Sequence, residues 1–210
     1  MARQQFKKQI ITPKGIFAYP WLTQGSPDLK FGAPGKYKVN VVISGPEAVA
    51  FKEQVDTIKA EALAYLQQDN PKLQDLKIPM DETVDDNGNV VPDSWTVKPK
   101  ANAAFRQPDG TEQPNKLVIV DSDKKAMENV AIWSGTEGKV AISIGAIDSG
   151  VYKGLVFRIA AVQVLSLVEG GAGGASSMFD KEDGFKASEE HATKPVETRV
   201  EDTVDEEVDF

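Results

Sequence analysis

The stretch from Lys36 to Ser44 reads KYKVNVVIS, and its alternation decides the fold class. Apolar side chains occupy every second position from Tyr37 to Ile43, and mostly polar residues stand between them. Because successive side chains of a strand point to opposite faces, this period of two predicts a half-buried β-strand. Lys36 and Lys38 then give the outer face of the strand a basic end.

An amphipathic helix is predicted directly after this strand. Pro46 suits the first helical turn, with Ser44 or Gly45 as the cap. Apolar residues then recur every three to four positions, from Val49 to Leu66. This spacing predicts one helix over about residues 46–68.

The rest of the body has β character. The pattern predicts core strands over residues 94–106, 115–121, 139–147 and 151–168, and Gly154 is expected to mark a bulge in the last of them. With the first strand, this makes five strands and one helix. Such a set favours a small closed or partly open barrel, since closure removes the unpaired edges of a sheet.

Two segments rich in proline and glycine are expected to be irregular. Residues 1–35 should form a basic strand and then a long surface loop that carries Trp21. Residues 69–92 should form a long excursion with at most a short helix or a hairpin turn. Structured loops of this length are often functional.

Charge divides the chain into a body and a tail. Of the 32 acids and 24 bases in the sequence, 13 acids and 4 bases lie in residues 169–210, which leaves 19 acids and 20 bases in the body. Residues 169–177 form a linker rich in glycine and serine. We therefore expect one domain over residues 1–168, followed over 169–210 by this linker and a disordered acidic tail.

Several classes of protein are excluded by composition. Without cysteine there is neither a disulfide framework nor a thiolate nucleophile, and the single histidine, His191, falls in the tail. The segment Asp85 to Asn89 fits a turn better than a calcium loop. We therefore expect no catalysis, no cofactor and no bound metal. Since no signal peptide or membrane span is visible, we also expect a cytoplasmic protein with no membrane partner.

Aromatic residues interleaved with cations point to single-stranded nucleic acid. Aromatic rings stack on bases, each worth about 1–3 kcal/mol, beside cations that follow the phosphates. Trp21, Trp133 and Tyr152 are the stacking candidates because they lie in or beside loops, whereas Tyr37 and Phe157 are expected in the core. The candidate cations are Lys36, Lys38, Lys98, Lys100, Arg106, Lys153 and Arg158.

Two stretches resemble the phage replication single-stranded DNA-binding proteins of the coliphage T-seven type. They are Phe31 to Val39 (FGAPGKYKV) and Lys116 to Val130 (KLVIVDSDKKAMENV). The final strand, the linker and an acidic tail ending in Asp209 and Phe210 follow in the same order. The resemblance spans nearly the whole chain at modest identity.

The resemblance implies a mainly β protein: a five-stranded OB-fold barrel with one amphipathic α-helix and a disordered acidic C-terminal tail. It implies a homodimer that binds single-stranded DNA without a cofactor. It also implies that the tail contacts the replicative DNA polymerase and the helicase-primase, and the matching tail residues are Asp205, Glu206, Glu207, Asp209 and Phe210. Lys36 and Lys38 would lie near the strand that contacts DNA, and Tyr152 would be the aromatic residue of the late hairpin.

The leading hypothesis is a sequence-nonspecific protein that coats and protects single-stranded DNA in phage replication or recombination, in the host cytoplasm. In this hypothesis the tail lies over the basic groove until DNA displaces it. The alternative is a protein-binding OB-like module whose acidic tail only keeps it in solution. A nuclease is the third class, and no constellation of metal ligands in the sequence favours it.

Overall fold

A computed structural model describes residues 5–23, 26–30, 32–128 and 130–168. Within these ranges the protein is mainly β, with a nine-stranded sheet, a two-stranded sheet and one helix. The elements are β1 (Lys7–Ile11), β2 (Gly15–Trp21), β3 (Lys36–Ser44), α1 (Pro46–Gln67), β4 (Met80–Val84), β5 (Val90–Val97), β6 (Lys100–Asn102), β7 (Ala104–Arg106), β8 (Glu112–Pro114), β9 (Val118–Val120), β10 (Glu137–Asp148) and β11 (Lys153–Ser166).

Strand β3 has the predicted alternation. Tyr37, Val39, Val41 and Ile43 are buried, and the residues between them are at least partly exposed. Their side chains belong to the main core cluster, which also contains Phe157 as expected. β3 therefore presents one apolar face to the core and one polar face to solvent.

Helix α1 begins and ends within one residue of the predicted bounds. Its buried face is formed by Ala48, Phe51, Val55, Ile58, Ala62 and Leu66, and the helix packs against β3, β5 and β10. Burial of each larger side chain contributes roughly 1.5–3 kcal/mol. No helix in the described part of the chain is long and apolar enough to cross a membrane.

Strand β2 pairs with two partners. It is antiparallel to β3 along most of its length and antiparallel to β10 at Gly15 and Ile16. The pairings therefore form a circuit through β2, β3, β6, β11 and β10. Gly15 faces Gly138 where the circuit closes, and a Cβ at Gly138 would lie 2.4 Å from the Gln163 carbonyl oxygen. Only a residue without a side chain fits that approach.

The prediction of a single strand over residues 94–106 is wrong. The segment is divided among β5, β6 and β7, with Pro99 between the first two. Proline has no N–H to donate to a ladder, so a continuous strand is interrupted there. β5 pairs with one half of β3 and β6 with the other half, whereas β7 turns away to pair with β8.

Two further expectations need correction. Trp21 does not lie in a loop but ends β2, because Trp21 pairs with Lys38 of β3. Gly154 is not a bulge: the register of β10 and β11 shifts instead near Ala141 and near Glu137. Gly154 permits a close backbone approach, since a Cβ there would lie 2.5 Å from the Lys77 carbonyl oxygen.

The excursion predicted over residues 69–92 contains a hairpin turn. β4 and β5 pair on either side of Asp85 to Asn89. The Asp85 carboxylate accepts hydrogen bonds from the backbone N–H groups of Asn87 and Asn89, at 2.9 and 2.8 Å, as in an Asx turn. These bonds to the charged form hold the pKa of Asp85 below its ordinary value.

Candidate nucleic-acid interface

Four of the predicted binding residues face one another across four adjacent strands. Trp21 of β2 is opposite Lys38 of β3, Lys38 is opposite Lys100 of β6, and Lys100 is opposite Arg158 of β11. Directly opposed residues share a face of the sheet. We call this set the cross-strand row. With strands about 4.8 Å apart, the row is about 14 Å long, measured along the sheet.

The cross-strand row lies on the outer face of the sheet. Its strand neighbours Tyr37, Ala101 and Phe157 point into the core and are buried. Because successive side chains of a strand point to opposite faces, the side chains of the cross-strand row point to solvent. A sequence pattern gives the face of each residue, but only the pairing register brings residues from four strands into line.

A hollow of about 400 Å³ adjoins the row at Lys38 and Lys100. Two more predicted cations, Lys36 and Arg106, line it. Its acidic lining residues are Asp28 and Glu112, and the segment Gly32–Gly35 completes one wall. Four of the predicted cations therefore surround one concave surface.

A smaller hollow of about 290 Å³ shares Lys38 and Lys100 with the first. Lys98 and Tyr19 also line it. Lys98 is paired with Asp81 of β4, so its charge is already neutralised. The two hollows thus bring Lys36, Lys38, Lys98, Lys100 and Arg106 to one region of the surface. Lys98 and Lys100 do not share a strand as predicted, since β5 ends at Val97 and β6 begins at Lys100.

Tyr19 was one of the aromatic residues considered from the sequence, but not one of the three preferred stacking candidates. It lies in the irregular stretch of β2 between Ala18 and Trp21, where its φ of 49° is uncommon for a residue with a side chain. Its backbone N–H donates to Ser134 Oγ at 3.0 Å, and the residue is 75% exposed. A strained backbone that presents an exposed ring is typical of a functional position. The sequence signal was its place in an aromatic cluster with Phe17 and Trp21, beside Pro20.

Trp21 and Trp133 are also exposed aromatic residues near this end of the sheet. Trp21 is 44% exposed, and the Lys38 ammonium lies 5.9 Å from the centroid of its ring, a cation–π distance. Trp133 is 47% exposed. Its loop is tied to β2, since Gly135 N–H donates to the Phe17 carbonyl at 2.9 Å. Exposed aromatic rings and cations therefore occur together around β2 and β3.

The cations of the cross-strand row and the larger hollow differ in their ion pairing. Lys38 is paired with the Asp28 carboxylate. Among the residues that the structure describes, no carboxylate lies within ion-pairing distance of Lys36, Lys100, Arg106 or Arg158. Within the described residues, these four side chains therefore have no acidic partner that an anionic ligand would have to displace.

Asp28 is held firmly beside Lys38. Its carboxylate accepts a hydrogen bond from the Lys30 backbone N–H at 2.9 Å and one from the Lys38 ammonium. The Lys38 hydrogen bond first, and the Lys30 bond second, hold the pKa of Asp28 below its ordinary value. Asp28 is therefore ionised at neutral pH.

Tyr152 and Lys153 lie apart from the row. They stand at the start of β11, so Lys153 is five residues, or about 17 Å, from Arg158 along the strand. The Tyr152 hydroxyl donates to the Leu155 carbonyl at 2.8 Å, and burial raises its pKa. The structure does not bring these two predicted residues together with the others.

The tail residues Asp205, Glu206, Glu207, Asp209 and Phe210 lie outside the described residues, as do Phe31 and Asn129. Within the described ranges no three histidine, aspartate or glutamate side chains are grouped so that they could hold a metal ion.

The fold is similar to solved structures of phage proteins. One is gp2.5, a single-stranded DNA-binding protein encoded by bacteriophage T7, with a TM-score of 0.61 and 25% identity over 87% of this chain and 100% of that one. A C-terminal truncation of the single-stranded DNA-binding protein from bacteriophage Enc34 has a TM-score of 0.55 and 12% identity over 80% of this chain and 98% of that one.

The Enc34 protein in complex with single-stranded DNA is also similar, with a TM-score of 0.55 and 12% identity over 77% of this chain and 88% of that one. At 12% identity the Enc34 structures show the fold alone. No protein-family model matches the sequence, and no curated protein matches it significantly. The resemblance noted from the sequence motifs is confirmed by these structural neighbours.

Proposed function

We propose, on the premise that this chain shares the fold and motif order of the T7-type phage single-stranded DNA-binding proteins, that it binds single-stranded DNA without sequence preference. The observation that carries the proposal is the cross-strand row of Trp21, Lys38, Lys100 and Arg158. A row of cations that begins at an exposed aromatic ring is suited to a strand with phosphates on one side and unpaired bases on the other.

In the proposed mode, bases stack on Tyr19, Trp21 and Trp133, and phosphates contact Lys100 and Arg158. Lys36 and Arg106 extend the phosphate contacts into the larger hollow. Every base has a face that can stack and every nucleotide has a phosphate, so these contacts carry no sequence information. Stacking requires unpaired bases, which favours a single strand over a duplex.

We also infer that residues 1–168 form an OB-type barrel. The support is the circuit of pairings through β2, β3, β6, β11 and β10, which includes five strands. Five strands in a closed or partly open barrel are typical of the OB-fold. The homodimer remains a proposal that rests on the resemblance.

The acidic segment has a separate proposed role. Residues 169–210 would form a linker and tail that recruits the replicative DNA polymerase and the helicase-primase, with Phe210 and its flanking acids as the contact. The support is the segregation of charge, with 13 acids against 4 bases in this segment, together with the resemblance. The protein would coat and protect single-stranded DNA during phage replication or recombination in the host cytoplasm.

The chain is not an enzyme, as the sequence predicted: the similar bacteriophage T7 protein is a single-stranded DNA-binding protein. In the proposed function the chain acts only by occupying DNA and by presenting its tail.

Tryptophan fluorescence titrated with oligo(dT) at several salt concentrations tests the proposal. Stacking on Trp21 or Trp133 should quench the emission, and the logarithm of the association constant should fall linearly with the logarithm of the salt concentration. Duplex DNA of the same length is the matched ligand control. Absence of both quenching and gel retardation would favour the alternative, a protein-binding module.

A further inference from the structure

We propose that Asp28 is a built-in competitor of DNA at Lys38. Its carboxylate occupies the position on the Lys38 ammonium that a phosphate of the bound strand would otherwise take. The inference rests on the proposed function, because it concerns the strength of binding at the same site. It makes Asp28 a residue that sets affinity without contacting DNA.

The position of Asp28 is fixed by its backbone. Its N–H donates to the Lys36 carbonyl at 2.9 Å, and the Lys36 N–H donates back to the Asp28 carbonyl at 3.0 Å. The residue is only 8% exposed, and one carboxylate oxygen is held by the Lys30 N–H. The other oxygen faces Lys38. Asp28 is therefore directed at Lys38 by the fold, unlike a mobile acid on the surface.

The placement of this acid is selective. Lys38 lies between Trp21 and Lys100 in the cross-strand row, and it lines both hollows. Lys100 and Arg158 in the same row have no described carboxylate within ion-pairing distance. One position within a row of cations is thus neutralised before any ligand arrives.

The exchange has a thermodynamic signature. When Lys38 passes from Asp28 to a phosphate, one anion replaces another, and few counterions are released at that position. A cation without an anionic partner contributes about 0.7 to the slope of log K against log salt for a single strand. Lys38 should therefore contribute little to the slope in the wild-type protein and a full share once Asp28 is neutral.

Asp28→Asn is the direct test. Asparagine keeps a side-chain oxygen that can accept the hydrogen bond from the Lys30 N–H. It lacks the negative charge that pairs with the Lys38 ammonium. We expect the variant to bind oligo(dT) roughly fivefold more tightly at low salt, the effect of one unit charge at about 4 Å in water. Its salt slope should be steeper by about 0.7.

Two variants separate this role from a general change in net charge. Asp56→Asn makes the same charge change on helix α1, where Asp56 is paired with Lys52. Neither residue lines a hollow, so the oligo(dT) affinity and the salt slope should stay near the wild-type values. The double variant Asp28→Asn, Lys38→Gln removes both partners and should return the salt slope to the wild-type value. A structural role for Asp28 would not predict that return.

The outcomes are distinguishable. If the wild-type protein does not bind oligo(dT), the proposed function fails, and the inference fails with it. If the wild-type protein binds but Asp28→Asn has the same affinity and slope, the inference is overturned while the function stands. If asparagine lowers the melting temperature, the same affinity and salt slope can be measured with Asp28→Ser, whose hydroxyl can also accept a hydrogen bond from the Lys30 N–H. A salt slope unchanged in both variants would also overturn the inference.

Discussion

The guanidinium group of Arg158 lies over Gly145, with its Nη1 atom 3.4 Å from the position that a Cβ would take at that glycine. Gly145 is two residues from Ser143, the direct β10 partner of Arg158. The absence of a side chain at Gly145 therefore leaves room for the Arg158 side chain to lie along the outer face. Gly145 has φ outside the left-handed region, so steric room rather than backbone freedom is what the glycine provides.

Substitution of Gly145 should weaken DNA binding without loss of the fold. Gly145→Val places methyl groups where the guanidinium lies and should displace Arg158 from the cross-strand row. We expect oligo(dT) affinity to fall roughly fivefold, as for the loss of one charge contact, while the melting temperature is kept because valine is favoured in strands. Gly145→Ala, whose Cβ fits in ordinary contact, is the control. Equal affinities for the valine variant and wild type would contradict this account.

Lys100 should behave as a phosphate contact. Lys100→Gln should reduce the slope of log K against log salt by about 0.7, because one cation fewer displaces counterions. The measurement is the oligo(dT) titration at several salt concentrations. Lys72→Gln removes the same charge from an exposed segment outside both hollows and should leave the slope unchanged. Identical slopes for the two variants would remove Lys100 from the interface.

Tyr19 should contribute by stacking. Tyr19→Ala should cost about 1–3 kcal/mol of binding free energy, the range for loss of one base–aromatic contact. Tyr19→Phe retains the ring and should bind nearly as well as wild type. Both affinities can be measured by fluorescence anisotropy with labelled oligo(dT). If phenylalanine is as harmful as alanine, the hydroxyl group and not the ring is what matters.

Acid titration should reveal the Asp28–Lys38 pair. Because the folded-state pKa of Asp28 is lowered from 3.8, the pair stabilises the fold fully above about pH 4, and this stabilisation is lost as the pH falls through the lowered pKa. Lys38→Gln removes the largest cause, so the pKa of Asp28 should rise toward its ordinary value in an NMR titration of the carboxyl group.

The control for that titration is a second ion pair. Lys59 lowers the pKa of Asp75 in the same way, and Lys59→Gln should raise the pKa of Asp75 but not that of Asp28. A pKa of Asp28 that is the same with and without Lys38 would show that the pair does not form in solution.

Removal of residues 201–210 should raise the affinity for oligo(dT), if the acidic tail competes with DNA for the cross-strand row. Tethering makes such competition effective even when individual contacts are weak. Phe210→Ala should weaken recruitment of a replicative polymerase in a pull-down and leave DNA affinity largely intact, with Phe179→Ala as the matched control. Unchanged DNA affinity after the deletion would rule out competition by the tail.

Sequence patterns predicted the elements of this fold better than their connections. The alternation in Lys36–Ser44 and the spacing of apolar residues in Pro46–Gln67 are local, and both elements form as predicted. Pro99 is a local signal for the break within residues 94–106, but the partners of the pieces, two parts of β3 and then β8, are set by long-range pairing. Long-range pairing of this kind leaves little trace in the local sequence.

The candidate site shows the same limit. The faces of Lys38 and Lys100 follow from strand periodicity, but their alignment with Arg158 follows from the register between β6 and β11. Asp28 had no sequence signal. It is brought beside Lys38 by an isolated β-bridge between Asp28 and Lys36, which spans a segment rich in proline and glycine. Tyr152 had a favourable sequence position, yet β11 carries it away from the row.

The double pairing of β2 ties ligand binding to the integrity of the whole body. β2 carries Tyr19 and Trp21, and it also closes the circuit between β3 and β10. The part of β2 from Gly15 to Phe17 is bonded on both edges and cannot detach locally without breaking both sets of bonds, so its amides should open only when the whole domain unfolds. A bound oligonucleotide would then act as a global stabiliser, shifting the unfolding equilibrium of the entire domain instead of ordering one loop.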